Sequence, residues 1–532
     1  MQSEPNYAKL SPTKLSDHSL HQLDECYINS LEDEELRHLT LQLLEDLREA
    51  RERLNQTARN SSRPPSSQAP FESNEPTPNQ ANIPSEPTEV PEPSAASEPQ
   101  ESDSASSDTS EPDADTEQPK KKRGKPKGAT GFGRTQVFKA ERIEVHHPSH
   151  CAGCGRALDT VTGTFYTGFQ ELDIVWRDGT DAALGIQIEV IDHRLSSKTC
   201  CCGHTTQARW GTGEVDAMLQ GIELSEWRLV GPGLATLIVA LHKRFRMSYA
   251  RIEEFLEDWL GIEISRGVLC QTVLEASAAI APVEEELVAA VQESELLHAD
   301  ETPWKESGQL LWLWVFTTST TTLYYVAGRG RELLDNLLEG FQGCLMSDGW
   351  QAYRHLEQRL RCWAHLLRKA QGLKESYTRE AQQFGHLVDD FLSTLIDAIY
   401  EARGDPPTIC LLEQHANALE QFRQACETHR GCSHQKTHAL AVEFLNDWDA
   451  IFKVLEHPAW PLTNNAAERA LRHWVMLRKI SQGTRSATGS RSLALLASVI
   501  DTCRQRGHSP WDYLRSAIRD RRAGLALPAL PQ

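Results

Sequence analysis

From residue 294 the chain alternates apolar and β-branched runs with turn residues in one particular order, and few folds accommodate that order. Residues 296–302 read as a short strand that carries Asp300 and is ended by Pro303. Residues 310–318 and 321–327 are rich in Trp, Val, Phe, Thr and Tyr, which suit a pleated surface, and they predict a hairpin. Residues 332–341 read as a helix. Residues 344–347 read as a strand running into Asp348-Gly349-Trp350, and a further strand is expected at 360–363.

Three strands, a helix, and a strand ending in an acid match the ribonuclease-H-like fold, in which the first and fourth strands lie side by side. Asp300 and Asp348 are then neighbours at the sheet centre. Paired carboxylates repel unless cations sit between them. Magnesium prefers oxygen ligands and keeps some waters, which leaves room for phosphate. Two Mg2+ ions are expected, with Mn2+ as the alternative.

A third acid is expected from a later helix, and Pro461-Leu-Thr-Asn-Asn-Ala-Ala-Glu468-Arg469 opens one. Asn465 to Glu468 is also the spacing of a capping box, so Glu468 has a purely structural alternative. Arg469, Arg472, Arg478 and Lys479 make that helix basic and suited to phosphate contacts. Glu301 neighbours Asp300 on a strand and should face the other way. Asp389 and Asp390 sit in a helical pattern with Leu387, Phe391, Leu395, Ile396 and Ile399 and read as solvated.

Five of the thirteen cysteines fall in two groups, Cys151-Ala-Gly-Cys154 and Cys200-Cys201-Cys202-Gly203-His204. Thiolates on Gly-containing turns can converge on one tetrahedral zinc, a structural site that closes a small knuckle. Cys200 with Cys202 is one choice for the second pair, and Cys201 with His204 is the other. The odd cysteine count and the absence of an apolar leader argue against a disulfide framework.

The formal net charge of -20 hides an uneven distribution. Residues 61–119 hold 13 acidic side chains and one basic, or -12; residues 1–60 hold 12 acidic and 7 basic, or -5; about -3 remains for the rest. Residues 60–119, rich in Pro, Ser, Glu and Thr, cannot bury enough surface to offset their ordering entropy and predict a disordered acidic linker. Lys120, Lys121, Lys122, Arg123, Lys125 and Lys127 follow at once. The Arg-Gly-Lys-Pro core resembles the AT-hook, an extended segment that lies in a narrow minor groove; a solvated tether is the alternative. Upstream, Leu36, Thr40, Leu43, Leu47, Ala50 and Leu54 form a short heptad seam, either a coiled-coil pairing element or a lone amphipathic helix.

Residues 231–282 predict helices. Ser248 can cap one with Ile252, Phe255, Leu256, Trp259 and Leu260 on a single face, and Gly261 can stop it. Ser265 can cap a second helix through Val268 and Val273. A helix-turn-helix and a plain helical hairpin fit equally.

Four segments together resemble the transposases of the insertion-sequence-sixty-six family: His298-Ala-Asp300-Glu-Thr-Pro303, Ser347-Asp348-Gly-Trp-Gln-Ala-Tyr353, Cys362-Trp-Ala-His365-Leu-Leu-Arg368-Lys369 and Asn464-Asn-Ala-Ala-Glu468-Arg-Ala-Leu-Arg472. Residues 500–514 resemble its C-terminal extension. The resemblance implies two-metal DNA cleavage at element ends and strand transfer into target DNA by Asp300, Asp348 and Glu468. A nuclease of the same fold and an inactive DNA-binding remnant are the alternatives. It favours Cys200 and Cys202 as the second zinc pair, although Cys201 between them departs from the pattern. It gives His365 a contact with the scissile phosphate or an active-site carboxylate, or else a structural role, and adds Arg368, Arg469, Arg472 and Lys479 as phosphate contacts. The implied partners are double-stranded DNA, further copies of the chain on that DNA, and small companion proteins of the same element. No run of about 18 apolar residues is present, and a cytoplasmic, nucleoid-associated bacterial protein is expected.

The expected organisation is multidomain α/β. A helical region spans 1–59, the acidic linker 60–119 and the basic segment 120–144. The zinc-binding domain spans 145–228, the helical DNA-binding-like region 229–290 and the catalytic core 291–480, with a helical insertion at about 372–458. A helical extension spans 481–532.

Overall fold

The computed structural model describes residues 31–54, 138–174, 187–208 and 229–532. The acidic linker and the Lys/Arg run at 120–127 lie outside the described residues. α1 spans Asp33–Leu54 and opens with Asp33, Glu34 and Glu35, whose charges suit a helix N-terminus. Its expected seam is open to solvent: Leu36, Leu43 and Leu47 are exposed, whereas Leu39, off the seam, is buried.

β1 (Arg142–His146), β2 (Thr164–Ile174), β3 (Ile188–Thr199) and β4 (Thr205–Gln207) form one sheet. β3 is central, parallel to β1 and antiparallel to β2 and β4. β1 begins three residues before the expected domain start at 145, because its pairing with β3 recruits part of the chain expected to belong to the basic segment.

α2 (Pro232–Val239), α3 (Tyr249–Leu260), α4 (Arg266–Ala279) and α5 (Val283–Gln292) follow. The caps are where the sequence places them. Ser248 Oγ accepts from Arg251 N–H, Ser265 Oγ accepts from Val268 N–H, and Gly261 takes a left-handed φ of 64°. The apolar face of α3 is shorter than expected. Ile252 and Leu256 are fully buried, but Trp259 is 78% exposed, since the last turn carries it out of the core.

The second sheet comprises β5 (Leu296–Glu306), β6 (Gln309–Thr317) and β7 (Thr322–Ala327), then β8 (Cys344–Ser347) and β9 (Arg359–Arg361), with α6 (Glu332–Leu337) between β7 and β8. Its order is β7-β6-β5-β8-β9, so the first and fourth strands in sequence are neighbours. β5 and β8 pair in parallel, as do β8 and β9, while β5, β6 and β7 are antiparallel. The expected strand end at Pro303 is incorrect. β5 continues to Glu306, and Pro303 pairs with Trp312. β8 accompanies β5 only as far as His298. Beyond it the outer edge of β5 has no strand to serve, so the N–H that proline lacks is not needed. The Pro303 carbonyl on that edge accepts from Arg478 instead. The last strand is also shorter than expected, because Cys362 caps α7 (Trp363–Lys374) and Trp363 is already helical.

α8 (Arg379–Gly404), α9 (Leu411–Gln414), α10 (Ala416–His429), α11 (Gln435–Asn446) and α12 (Trp448–Phe452) follow. They bury Phe384, Leu392, Phe422, Phe444 and Phe452 in one core with Cys344, Met346 and Leu360 of the sheet. α13 (Asn465–Ser481), α14 (Ala487–Gln505) and α15 (Pro510–Ala523) close the chain. The last two are built into the core rather than appended to it. Ser498 Oγ accepts from Tyr324 N–H and Thr502 Oγ1 accepts from Thr322 N–H, so α14 lies along β7. Leu297, Ala299, Trp314 and Phe316 face a core shared with α2–α5, α14 and α15. Trp304, Leu313, Val315 and Tyr324 face α13 and α14. Each fully buried side chain of this size contributes about 1.5–3 kcal/mol relative to exposure.

Candidate active site and metal centre

His298 on β5 pairs with Met346 on β8. Asp300 lies two residues further along β5, and Asp348 lies two residues after Met346, directly past the end of β8; the period of two directs both toward the face of His298 and Met346. Each is held locally: Asp300 Oδ1 accepts from Glu301 N–H at 2.9 Å, and Asp348 Oδ1 accepts from Trp350 N–H at 2.9 Å.

Glu468 lies on α13. The helix begins one residue earlier than a capping box through Asn465 requires. Asn464 is the N-cap, and its side chain makes no cap bond. It turns instead to the sheet, where Nδ2 donates to the Ala299 carbonyl at 2.8 Å and Oδ1 accepts from His298 Nδ1 at 3.0 Å. The Asn464 N–H donates to Cys362 Sγ at 3.3 Å. Glu468 is therefore free of a cap role and faces α7, with Oε1 4.0 Å from His365 Nε2 and 3.6 Å from Arg368 Nη2.

Burial raises the Asp300 carboxyl well above the ordinary range, and the negative charges of Asp348, Glu301 and Glu468 push it further. Asp300 and Asp348 offer oxygen donors that suit a hard divalent cation, while a carboxylate oxygen of Glu468 lies within 4.8 Å of donor atoms of Cys362 and His365, a mixed set that can also hold a metal ion. Burial, then the charges of Arg368, Lys369 and Arg361, lower His365 to about 3, so its imidazole is neutral. Its buried Nδ1 has no hydrogen-bond partner among the described residues.

Glu301 does lie on the opposite side from Asp300, accepting from Tyr353 Oη at 2.8 Å and from Arg329 Nη2 at 3.0 Å. It is not remote, however: burial and then the charge of Asp348 raise it to about 7. Arg329 is itself stacked on Trp312 and Trp350, with its guanidinium carbon 4.0 Å and 4.8 Å from the ring centroids.

The remaining cations divide. Arg469, Arg472 and Lys479 are exposed along α13. Arg478 donates to Thr302 Oγ1 at 2.8 Å and to Pro303, so it fastens α13 to β5. Asp389 of α8 pairs with Lys374 of α7 at 2.8 Å, and Asp390 is exposed.

Sequence reasoning did not reach Asn464, His298 or the network behind Asp348. Gly349 follows Asp348, and a Cβ there would stand 2.4 Å from Arg361 Nη2 and 2.8 Å from Glu443 Oε1. Arg361 is fully buried and pairs with Glu443 at 2.5 Å and with Asp447. Lys369 Nζ reaches Glu443 Oε2 at 2.6 Å. Burial opposes ionisation of Glu443, but Lys369 and Arg361 outweigh it and hold the carboxyl below its usual range. The signal available in the sequence was one glycine directly after the acid.

In the first sheet the geometry separates the cysteine alternatives. The sulfurs of Cys151, Cys154, Cys200 and Cys202 lie within 4.8 Å of one another. Cys151 to Cys202 and Cys154 to Cys200 are each 3.6 Å. Cys201, 3.9 Å from Cys200 Sγ, falls outside that set and accepts from Arg156 Nη1 at 2.7 Å, and His204 packs over Gly153. Both turns need a left-handed glycine, Gly155 at φ 72° and Gly203 at φ 83°. Burial raises the Cys151 thiol, but N–H groups of Cys154 and Gly153 prevail and lower it to about 6. The Cys202 N–H chiefly lowers Cys200. The Arg156 N–H lowers the Cys154 thiol, but side-chain contacts with Cys202, Cys200 and Cys151 prevail and raise it to about 12, the opposite direction. The four convergent sulfurs can hold a metal ion.

Residues 228–492 match the family described as Transposase IS66 family. Curated relatives are similar over parts of the chain. One, an uncharacterized protein, y4qI of Sinorhizobium fredii (strain NBRC 101917 / NGR234), is 27% identical over 291 residues, 48% of this chain and 53% of the relative. Another, y4jO of the same organism, is 25% identical over 217 residues, 37% of this chain and 65% of the relative. The chain thus spans between about half and two thirds of these relatives' length. No helix among the described residues is long and apolar enough to cross a membrane.

Proposed function

This chain belongs, through residues 228–492, to the IS66 transposase family, and from that membership we propose that it is a DNA transposase with a ribonuclease-H-like core that cuts element ends and joins them to target DNA. The observation that supports the reading is the parallel pairing of β5, which carries Asp300, with β8, which leads directly into Asp348, while Glu468 on α13 adds its charge to the field at Asp300. Asp300, Asp348 and Glu468 would hold two Mg2+ or Mn2+ ions, which when bound activate the attacking oxygen and stabilise the leaving one.

The protein's own groups position the rest. Asn464 anchors the start of α13 on the residue before Asp300, which keeps Glu468 at the sheet. Neutral His365 and charged Arg368 border Glu468, where they can orient it and meet a phosphate. Exposed Arg469, Arg472 and Lys479 supply further charge for the DNA backbone. Water attacks the phosphodiester first, and the freed 3'-hydroxyl then attacks target DNA, so no covalent enzyme intermediate forms. Cys151, Cys154, Cys200 and Cys202 hold structural zinc in this reading. The segment at 120–127 adds minor-groove contacts, and α1 pairs copies of the chain on DNA. Companion proteins of the element and a cytoplasmic, nucleoid-associated location complete it.

The test is cleavage and joining of DNA carrying the cognate ends, in Mg2+, with Asp300→Asn, Asp348→Asn and Glu468→Gln. Each substitution is expected to abolish cleavage and leave end binding largely intact. Near-normal cleavage by any one overturns its assignment. Ends that are cut but never joined would make the protein a nuclease.

A further inference from the structure

We propose that Glu144, His146 and His193 form a second metal site, separate from the four-cysteine centre, that takes a divalent transition ion of the zinc type. Parallel pairing sets Glu144 of β1 opposite His193 of β3. His146, two residues on, shares that face. His146 Nε2 lies 2.9 Å from His193 Nδ1, and Glu144 Oε2 lies 3.5 Å from the same nitrogen. One donor atom from each of the three residues falls within a 4.8 Å set. Metal–ligand bonds of about 2.0–2.2 Å place the ligands of a tetrahedral ion about 3.3–3.6 Å apart, so only small shifts are needed.

The surroundings are built for the same purpose. His193 is buried, with Phe169 stacked on its ring at a centroid distance of 4.8 Å. Its other nitrogen, Nε2, lies 3.8 Å from Oε2 of buried Glu171 on β2. That separation is longer than a hydrogen bond, and a closer approach of this carboxylate would fix the tautomer of a ligating imidazole. A hydrogen-bonded imidazole pair would account for the 2.9 Å contact alone. An ion accounts for that contact and for carboxylates at both nitrogens of His193. Two imidazoles and a carboxylate select zinc-type ions over magnesium. Cys200 lies seven residues along the chain from His193, about 23 Å at ~3.3 Å per residue, so one ion cannot serve both sites. The second ion would clip the edge strand β1 to the middle of its sheet.

The experiment is metal analysis of the full chain, loaded with zinc and dialysed in excess magnesium, alongside a His365→Ala variant that removes any zinc held by Cys362, His365 and Glu468 and serves as the background for the count. Two zinc ions per chain are expected in that background. There the His146→Ala/His193→Ala double variant should hold one, and Cys151→Ser/Cys154→Ser should lose the other. Substitution with cobalt(II) in the same background separates the centres without any further variant. The cysteine centre gives thiolate charge-transfer bands, while the second gives only ligand-field bands of nitrogen and oxygen coordination. One zinc per chain in that background, a histidine double variant that keeps two, or cobalt spectra accounted for wholly by thiolate coordination would each overturn the proposal.

Discussion

Asn464, the residue that caps α13, donates its side-chain N–H to the carbonyl of Ala299, the residue before Asp300, at 2.8 Å. Because Glu468 lies one helical turn after Asn464, this bond sets the distance between the helix that carries one acid and the strand that carries another. Replacing Asn464 with alanine removes both sheet contacts and leaves the Ala299 carbonyl and His298 without this partner. A loss of about 1–3 kcal/mol is expected in urea unfolding. Cleavage should fall further than end binding, and Asn464→Asp, which keeps the acceptor for His298 but not the donor for Ala299, should recover only part of it.

Gly349 should tolerate no side chain. A Cβ would meet Arg361 and Glu443 closer than van der Waals contact permits, and Arg361 is fully buried with no room to withdraw. Gly349→Ala is expected to cost about 1–3 kcal/mol by overpacking and to displace Asp348. Gly404→Ala, where a Cβ meets nothing within 4 Å, is the control and should leave cleavage unchanged.

Glu301 supplies a pH dependence. Burial and then Asp348 raise its carboxyl from 4.5 to about 7. The folded state therefore binds the proton more tightly than the unfolded state, and this stabilisation is complete below about 4.5 and lost as pH rises through about 7. Denaturant unfolding without divalent metal should show stability falling across that window, by on the order of 2–3 kcal/mol. Glu301→Gln should flatten this part of the profile; a variant with the same slope as wild type would show that Glu301 is not its source.

The cysteine centre predicts an asymmetric mutant series. Cys202→Ser should release the bound metal and expose the knuckle to protease, as should a strong chelator. Cys201→Ser should leave the metal content unchanged, since Cys201 faces Arg156. Elemental analysis with limited proteolysis reads both outcomes.

Much of this was written in the sequence because it is local. Strand order follows from runs of β-formers between turn residues. The caps at Ser248 and Ser265 follow from side chains that reach N–H groups three residues on. The two acids of β5 and β8 follow from strand order with a period of two. What the sequence could not decide depends on partners distant along the chain. Pro303 sits inside β5 because β8 has already ended beside it. Trp259 shares a helical face with Ile252 yet lies in solvent, because periodicity says nothing about how far the core extends. Asn465 and Glu468 have capping-box spacing, but tertiary bonds from Asn464 to β5 start the helix one residue earlier. Cys200 and Cys202 are distinguished from Cys201 and His204 only where the two turns meet. Propensity and spacing act over a few residues; the approach of Asn464 to Ala299, 165 positions apart, is set by the packing of a whole helix on a whole sheet.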